Sequence, residues 1–273
     1  MLETTGKTGL LAVIGWPVEH SKSPLIHSRF IAAAGMDLAY LAFPVAPEGL
    51  EGLVRAAKTL KIQGFNVTMP HKETILPYLE ALEPSAGEAQ AANTVFWKEG
   101  RLTGANTDGD GFWLSLQILA PGDYRRAVIL GAGGAAKAVA QALRRQGLEV
   151  LVASRKRIDL GAGTQTCGFE EFRDLLGDCD LLVNTTPLGM EGAGRGDFES
   201  LEFLKALPQS ALVYDLIYAP RRTALLRAAK DRGLRVLNGL PHLVCQAALS
   251  FAFFTGHQPE AETVQALLEE LGA

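Results

Sequence analysis

The chain has 273 residues, of which 48% are hydrophobic and 21% are charged, and its formal net charge is −4. This length suits two medium-sized domains better than one, and the slight acidic excess argues against a nucleic-acid or anionic-membrane partner. The sequence shows neither an apolar run of membrane-spanning length nor a secretory signal pattern. Its three cysteines are odd in number and far apart, which predicts a reducing, cytoplasmic compartment and no metal site.

Strand and helix signals alternate through the first part of the chain. An apolar run at Leu10–Gly15 predicts a buried first strand. After the polar loop Trp16–Ser23, Pro24 predicts the start of a helix, because proline favours the first helical turn. A predicted hairpin of Asn93–Trp97 and Leu102–Ala105 surrounds a glycine-containing connection. This alternation predicts an α/β domain with a mostly parallel sheet. The other elements predicted here are strands at Tyr40–Val45 and Gly64–Thr68 and helices at Gly49–Leu60 and after Lys72.

A glycine-rich turn between a strand pattern and a helix pattern marks the centre of the chain. The apolar residues Val128–Leu130 predict a buried strand, and the alanine-rich stretch that runs to Gln146 predicts a helix. The turn has the G-x-G-x-x-G/A arrangement in the context that a dinucleotide site requires. The helix start would offer its free amides and positive dipole end to a pyrophosphate, whereas the alternative is an ordinary glycine-rich turn. The cofactor-binding residues predicted in this turn are Gly131, Ala132, Gly133, Gly134, Ala135 and Ala136.

The rest of the chain predicts a Rossmann-type, doubly wound dinucleotide-binding domain. The expected domains are residues 106–239 for the dinucleotide and residues 1–105 plus 240–273 for the substrate, with the active site in the cleft between them. The loops Ile158–Thr166 and Gly192–Gly196 are predicted to be exposed or mobile. The further elements predicted are helices at Asn106–Leu119, Arg222–Arg232, Pro241–Thr255 and Pro259–Leu271, and strands at Glu149–Ser154, Asp180–Asn184, Ala211–Leu216 and Leu234–Leu237.

The end of the strand predicted after the glycine turn indicates which dinucleotide binds. An NAD site carries an acidic residue about twenty positions beyond the glycines, but this strand ends in Ser154, Arg155 and Lys156. A carboxylate would repel a 2′-phosphate, whereas Ser154 can donate a hydrogen bond to it and Arg155 can pair with it. The sequence therefore favours NADP as the cofactor, and the alternative interpretation is a solvated basic turn.

Several polar side chains follow the predicted strands of the first domain, where open α/β sheets place their ligands. Each one alone has an ordinary structural explanation: Ser23 or Asp108 as a helix cap, Asn93 as a turn residue, Lys72 as a solvated charge. Their common position is what indicates a site. The residues are Ser21, Ser23, Asn66, Thr68, Lys72, Asn93 and Asp108.

These residues and the glycine turn belong to a series of motifs that spans nearly the whole chain. The motifs are Ser21-Lys-Ser23-Pro24-Leu-Ile-His27, Asn66-Val-Thr68-Met-Pro70-His-Lys72, Ala92-Asn93-Thr94, Asn106-Thr-Asp108-Gly109, Gly131–Ala136, Asn184-Thr-Thr-Pro187-Leu-Gly189-Met190, Asp215-Leu-Ile-Tyr218-Ala-Pro220 with Thr223, and Gly239 through Gln246-Ala-Ala248. In this order, the series resembles the signatures of the shikimate dehydrogenase family. The resemblance implies reversible reduction of 3-dehydroshikimate to shikimate with NADPH, in the pathway that leads to aromatic amino acids.

The resemblance also implies roles for individual residues. Lys72 would be the acid–base group and Asp108 its partner, while the nicotinamide supplies or takes the hydride. The substrate-binding residues would be Ser21, Ser23, Thr68, Lys72, Asn93, Asp108, Tyr218 and Gln246. Besides the glycine turn, the cofactor-binding residues would be Ser154, Arg155, Lys156, Thr185, Thr186, Pro187, Leu216, Gly239 and His242.

One motif departs from the family pattern. Where the family usually has Gly-Met-Leu, this chain has Pro241-His242-Leu243. His242 either keeps the packing role of the methionine or adds a titratable group beside the cofactor.

Other functions stay open at the level of the sequence. The nearest alternative is a quinate/shikimate dehydrogenase of broader specificity, with or without the use of NAD, and a relative acting on an amino-shikimate is another. A non-catalytic NADPH-binding regulator would be expected to lose Lys72 or Asp108, yet both are present. The predicted partners are small molecules, without nucleic acid or membrane, and the chain is expected to be a monomer or a homodimer.

Overall fold

The computed structural model describes residues 4–155, 164–191, 194 and 196–272. The chain divides into two compact units, one formed by the residues up to Gly111 with Leu243–Gly272 and the other by Phe112–His242. Each division point lies within a helix. The expected boundaries, between residues 105 and 106 and between residues 239 and 240, lie near the starts of these two helices.

The described residues form, in chain order, β1 (Gly9–Gly15), α1 (Ser23–Ala33), β2 (Leu38–Pro44), α2 (Leu50–Thr59), β3 (Gly64–Val67), α3 (His71–Thr74), β4 (Ala81–Leu82), α4 (Pro84–Ala89), β5 (Thr94–Lys98), β6 (Arg101–Ala105), α5 (Asp108–Leu119), β7 (Arg126–Leu130), α6 (Gly134–Arg145), β8 (Glu149–Ser154), β9 (Thr164–Gly168), β10 (Leu181–Asn184), β11 (Leu212–Asp215), α7 (Ala224–Asp231), β12 (Arg235–Leu237), α8 (Leu240–Thr255) and α9 (Ala261–Leu271).

The first unit is built on a six-stranded sheet with the order β2-β1-β3-β5-β6-β4. Three of its five strand pairs are parallel and two are antiparallel, so the sheet is mixed with a parallel majority. The predicted hairpin is confirmed, because β5 runs antiparallel to β6 with Thr94 opposite Ala105. The apolar run of β1 is buried among residues such as Val67 and Val95, which explains why it shows no polar alternation.

Three elements of this unit differ from the predictions. The helix after Lys72 is the single turn α3, followed by a short 3-10 turn at Leu76–Tyr78, since Pro77 has no N–H with which to continue a helix. The elements β4 and α4 have no predicted counterpart, because two residues of strand and six of helix are too short to show a periodic pattern.

The two C-terminal helices α8 and α9 complete this unit. Helix α8 lies against β3 at Gly64, where a Cβ atom would come within 2.4 Å of the Phe254 ring. Helix α9 is joined to α1 by an ion pair in which Arg29 Nη2 lies 2.6 Å from Glu270 Oε1.

The second unit is a parallel sheet with the order β12-β11-β10-β7-β8-β9. All five strand pairs are parallel, and the order reverses beside β7, with two strands on one side and three on the other. This is the doubly wound Rossmann order, whose ligands bind at the carboxyl ends of the strands beside the reversal. The prediction of two α/β domains with a Rossmann-type second domain is therefore confirmed.

The edge strand β9 corrects the prediction of a loop at Ile158–Thr166. Thr164–Gly168 pairs in parallel with β8, and residues 158–163 lie outside the described residues. Most of β9 is polar or glycine, with only Cys167 buried, because an edge strand does not need the apolar run of an interior strand. In the other predicted loop, Gly192–Gly196, residues 192, 193 and 195 also lie outside the described residues.

Candidate active site

The first unit brings Lys72 and Asp108 together. Lys72 follows β3 on the single turn α3, and Asp108 is the first residue of α5. Lys72 Nζ donates a hydrogen bond of 2.6 Å to Asp108 Oδ2. The aspartate side chain is almost fully buried, whereas that of the lysine is 22% exposed. A buried carboxylate therefore orients an ammonium group that solvent or a ligand can reach.

Asn93, at the start of β5, holds the other oxygen of this carboxylate. Its Nδ2 donates to Asp108 Oδ1 at 2.8 Å, and its Oδ1 accepts from the backbone N–H of Thr107 at 2.9 Å. Because a backbone N–H can only donate, this second bond fixes which end of the amide faces Asp108. Both carboxylate oxygens thus have side-chain partners, and the Asp108 carboxylate cannot rotate freely.

A buried cluster of hydroxyl and amide groups supports Asn93. Ser250 Oγ accepts from Asn66 Nδ2 at 2.9 Å and donates to the Gln246 carbonyl at 3.0 Å. It also shares hydrogen bonds with the hydroxyls of Thr94 at 2.7 Å and Thr107 at 3.0 Å. We call Ser250, Asn66, Thr94 and Thr107 the Ser250 cluster. Sequence reasoning missed Ser250, although it lies one helical turn after Gln246 and so on the same helix face.

Asn66 uses both ends of its amide inside the protein. Its Oδ1 accepts from Tyr40 Oη at 2.7 Å, and its Nδ2 also donates to the Asn93 carbonyl at 3.0 Å. The ring of His27 stacks on Tyr40 with centroids 4.1 Å apart, and burial lowers the pKa of His27 to about 3. These contacts give Asn66 a supporting position behind Asn93.

The other predicted substrate residues of this unit lie at the ends of β1 and β3 and on α8. The Ser23 N–H donates to Ser21 Oγ at 3.2 Å, and the helix-cap explanation of Ser23 does not hold, because the N-cap of α1 is Lys22. Thr68 is packed against β1, since a Cβ at Gly15 would lie 2.4 Å from its methyl group.

Gln246 reaches the Asp108 site because α8 packs closely on α5. A Cβ atom at Gly111 would lie 2.6 Å from the Gln246 backbone, so only glycine permits this approach. Gln246 Oε1 lies 3.4 Å from Asn93 Nδ2, and its Nε2 donates to the Leu243 carbonyl. The structure thus joins Lys72, Asn93, Asp108 and Gln246 in one hydrogen-bonded group.

In the second unit, the predicted glycine turn has the geometry of a phosphate site. Gly131 has a φ of +115°, and a Cβ there would lie 2.5 Å from Thr185 Oγ1, so only glycine fits. Gly133 is the N-cap of α6 and offers no side-chain acceptor to the first amides of the helix. A Cβ at Gly133 would meet no atom of the described chain within 4 Å. The space and the donors fit a pyrophosphate at the start of α6.

The other predicted cofactor residues lie around this turn. Ser154 is buried at the end of β8, and Arg155 next to it is exposed, whereas Lys156 lies outside the described residues. Thr185 Oγ1 donates to the Leu130 carbonyl at 2.7 Å, which places the loop Thr185–Pro187 beside the end of β7.

The loop after β11 and the start of α8 form the last group of predicted residues. A Cβ at Gly239 would lie 1.9 Å from the Leu216 carbonyl oxygen, so these two segments touch through backbone alone. Tyr218 follows in the same loop, and burial raises its pKa. The ring of His242 is buried and packs edge-on against Phe112, with centroids 6.4 Å apart.

The described residues lack two further features. They contain no group of three histidine, cysteine, aspartate or glutamate residues that could hold a metal ion. None of the helices in the described part of the chain is long and apolar enough to cross a membrane.

The chain is similar to known proteins of one family. Residues 13–95 match the family model of the shikimate dehydrogenase substrate binding domain. The chain is 40% identical over 263 residues to the shikimate dehydrogenase (NADP(+)) of Gluconobacter oxydans, a match that covers 94% of each protein.

Solved structures extend the likeness to the fold. The shikimate 5-dehydrogenase of Thermus thermophilus in complex with NADP(H) and shikimate is 35% identical, with a TM-score of 0.85 over 96% of this chain and 99% of that one. The quinate dehydrogenase of Corynebacterium glutamicum in complex with NAD is 28% identical, with a TM-score of 0.83 over 96% of this chain and 99% of that one.

Proposed function

This chain belongs to the shikimate dehydrogenase family, and we propose that it is an NADP-dependent oxidoreductase that interconverts 3-dehydroshikimate and shikimate. In this proposal the first unit holds the substrate and the second holds NADP. The observation that carries it is the hydrogen bond between Lys72 and the buried Asp108, because a ketone reduction needs a positioned proton donor as well as a hydride.

Lys72 and Asp108 would perform the proton transfer. Bound NADPH supplies the hydride for the reduction. Lys72 Nζ donates a proton to the oxygen that gains charge at the reacting carbon, and it takes this proton back in the reverse direction. Asp108 Oδ2 keeps Nζ in place at 2.6 Å, and Asn93 keeps the carboxylate in place at 2.8 Å.

The remaining residues of the first unit would bind the substrate. The hydroxyls of Ser21 and Ser23 would hold its carboxylate, which neutral donors bind less strongly than an arginine would. Thr68, Asn93, Asp108 and Gln246 would hold the carboxylate or the ring hydroxyls, and Tyr218 of the second unit stays a predicted substrate contact.

NADP would be held by the glycine turn and the loops that surround it. The amides at Gly133 and the start of α6 would bind the pyrophosphate. Ser154 and Arg155 would bind the 2′-phosphate. The nicotinamide half would meet Thr185–Pro187, Leu216, Gly239 and His242.

The experiment that tests this function is steady-state oxidation of shikimate and of quinate, each with NADP and with NAD, followed by absorbance of the reduced nicotinamide. We expect efficient turnover with shikimate and NADP. Comparable rates with quinate or NAD would instead support the broader-specificity enzyme that the likeness to a quinate dehydrogenase suggests. Tight NADPH binding without turnover of any pair would contradict the roles of Lys72 and Asp108. Light scattering on the same sample would distinguish a monomer from a homodimer.

A further inference from the structure

Asp215 is a fully buried carboxylate at the end of β11, beside the proposed cofactor loops. We propose that Asp215 is a positioning residue for NADP: its carboxylate orients the Asn184 amide, and this amide holds the loop that begins at Thr185. The inference rests on the proposed function for the identity of the cofactor. Its structural part depends only on contacts within the second unit.

Neutral donors surround the Asp215 carboxylate. Its Oδ1 accepts from Asn184 Nδ2 at 2.9 Å and from the Ile217 N–H at 3.1 Å. Its Oδ2 accepts from Thr223 Oγ1 at 2.6 Å. Among the described residues, Asp197 is a charged group that repels it. Asp215 is therefore held by hydrogen bonds from neutral groups, whereas a buried charge is usually paired with an opposite charge.

The Asp215 carboxylate decides which end of the Asn184 amide faces the loop. An ionised carboxylate only accepts hydrogen bonds, so Asn184 must present its Nδ2 to Asp215. Asn184 Oδ1 then points toward Thr186, where it accepts from the backbone N–H at 3.0 Å and from the hydroxyl at 2.7 Å. With the amide turned over, Nδ2 of Asn184 would face the backbone N–H of Thr186 and this bond would be lost, while the Thr186 hydroxyl would have to change from donor to acceptor.

The loop that Asn184 holds forms one wall of the glycine turn. Thr186 Oγ1 accepts in turn from the Leu188 N–H at 3.3 Å. Thr185 packs directly on Gly131, because its Oγ1 would lie 2.5 Å from a Cβ at that glycine. A change in the orientation of Asn184 would therefore move atoms that touch the proposed pyrophosphate site.

The test is a titration of each purified full-length variant with NADPH, followed by nicotinamide fluorescence and independent of turnover. Asp215→Leu removes both acceptors and keeps the number of side-chain heavy atoms, and we expect the NADPH dissociation constant to rise at least about tenfold. In Asp215→Asn the amide oxygen still accepts from Asn184 and Ile217, so we expect a constant within about threefold of the wild type. NADPH affinity that is kept with asparagine and lost with leucine would show that the binding site depends on the hydrogen-bond acceptor at position 215.

Thr223→Val is the matched control, because Thr223 donates to Asp215 without contacting Asn184. It also caps α7 by accepting from the Leu226 N–H, so its loss should lower stability while leaving the NADPH constant within about threefold. A similar loss of NADPH affinity in Thr223→Val and Asp215→Leu would mean that only general stability is involved, which would overturn the inference.

Asn184→Asp provides a second route if Asp215→Leu does not fold. Two carboxyl groups would then face each other and repel as the rising pH removes their protons, so the ratio of its NADPH constant to that of the wild type should rise with pH. A ratio that stays constant, or an Asp215→Leu constant equal to the wild type, would overturn the inference. Failure of the wild type to oxidise shikimate would overturn the proposed function alone, because the NADPH titration does not use turnover.

Discussion

The Nζ atom of Lys72 lies 2.6 Å from Oδ2 of Asp108, and only the lysine of this pair has appreciable contact with solvent. This asymmetry suits a proton donor that must be reloaded, because the lysine can exchange protons with water while the carboxylate stays fixed. Neutralising the lysine should therefore remove the proton transfer and leave the second unit unchanged.

Lys72→Met should lower kcat for shikimate oxidation by about 10²–10⁴-fold, the usual contribution of one acid–base group. The NADPH dissociation constant should stay at the wild-type value, because the glycine turn belongs to the other unit. Steady-state kinetics and NADPH fluorescence measure the two effects separately.

Lys58→Met is the matched control for that variant. Lys58 is also in the first unit and pairs with Glu80 at 2.9 Å, but both side chains are largely exposed. We expect an unchanged kcat. A Lys72→Met enzyme as active as the Lys58→Met enzyme would remove Lys72 from the mechanism.

Ser250→Ala should weaken substrate binding through the Ser250 cluster. The variant removes one buried acceptor of the Asn66 amide, whose Nδ2 keeps its bond to the Asn93 carbonyl, and we expect a loss of about 1–3 kcal/mol in the free energy of unfolding. Because Ser250 also contacts Thr107 and the Gln246 carbonyl, KM for shikimate should rise about three- to tenfold. Ser115→Ala is the control. Ser115 is equally buried but belongs to the second unit, where it bonds to the Phe112 carbonyl and the Tyr214 hydroxyl. It should lower stability without changing this KM.

The parts of the fold that follow from local patterns could be predicted from the sequence. The apolar runs of β1 and β7 and the glycine turn after β7 depend on neighbouring residues, so their signals are present in short windows. The edge strand β9 could not be predicted, because its polar sequence fits a loop as well as a strand, and its partner β8 decides the outcome.

The candidate site shows the same limit at the level of side chains. The sequence indicated Lys72, Asn93 and Asp108 through their common position after predicted strands, but the direction of the Asn93 amide depends on the Thr107 N–H. Ser250 lies 156 positions after Thr94 and meets it only through the fold. Residues with such distant partners carry no local pattern, which is why the supporting contacts behind the site had to come from the structure.

Arg155→Ala should reduce the preference for NADP over NAD. The exposed guanidinium follows the end of β8, where a 2′-phosphate would accept charge-assisted hydrogen bonds from it. Losing these bonds should raise KM for NADP about 10- to 100-fold. KM for NAD serves as the internal control, because NAD lacks the phosphate. Equal effects on both cofactors would contradict the assignment of Arg155 to the 2′-phosphate.

His242→Met should leave the pH–rate profile unchanged. The imidazole is buried and packs on Phe112 at 6.4 Å, which is a packing role that a flexible side chain of similar size can take over. We expect kcat/KM within about threefold of the wild type at each pH. A limb of the profile that disappears in the variant would show that the histidine acts as a titrating group instead.

Asp215 should make the protein less stable as the pH rises, which is opposite to the usual effect of an aspartate in a folded protein. Burial raises the pKa of Asp215 from 3.8 to about 6, against the hydrogen bonds from Thr223, Ile217 and Asn184 that lower it. The folded state therefore holds this proton more tightly than the unfolded state does. The resulting stabilisation is fully present below about pH 4 and is lost as the pH rises through about 6.

Asp215→Asn isolates this effect because it has no proton to lose. The free energy of unfolding of the wild type, minus that of the variant, should fall by about 3 kcal/mol between about pH 4 and about pH 7, which corresponds to roughly two pKa units. Urea denaturation at several pH values measures this difference, and titrations elsewhere in the chain cancel in it. A difference that rises with pH, as for a carboxylate stabilised in its ionised form, would show that the hydrogen bonds outweigh burial at Asp215.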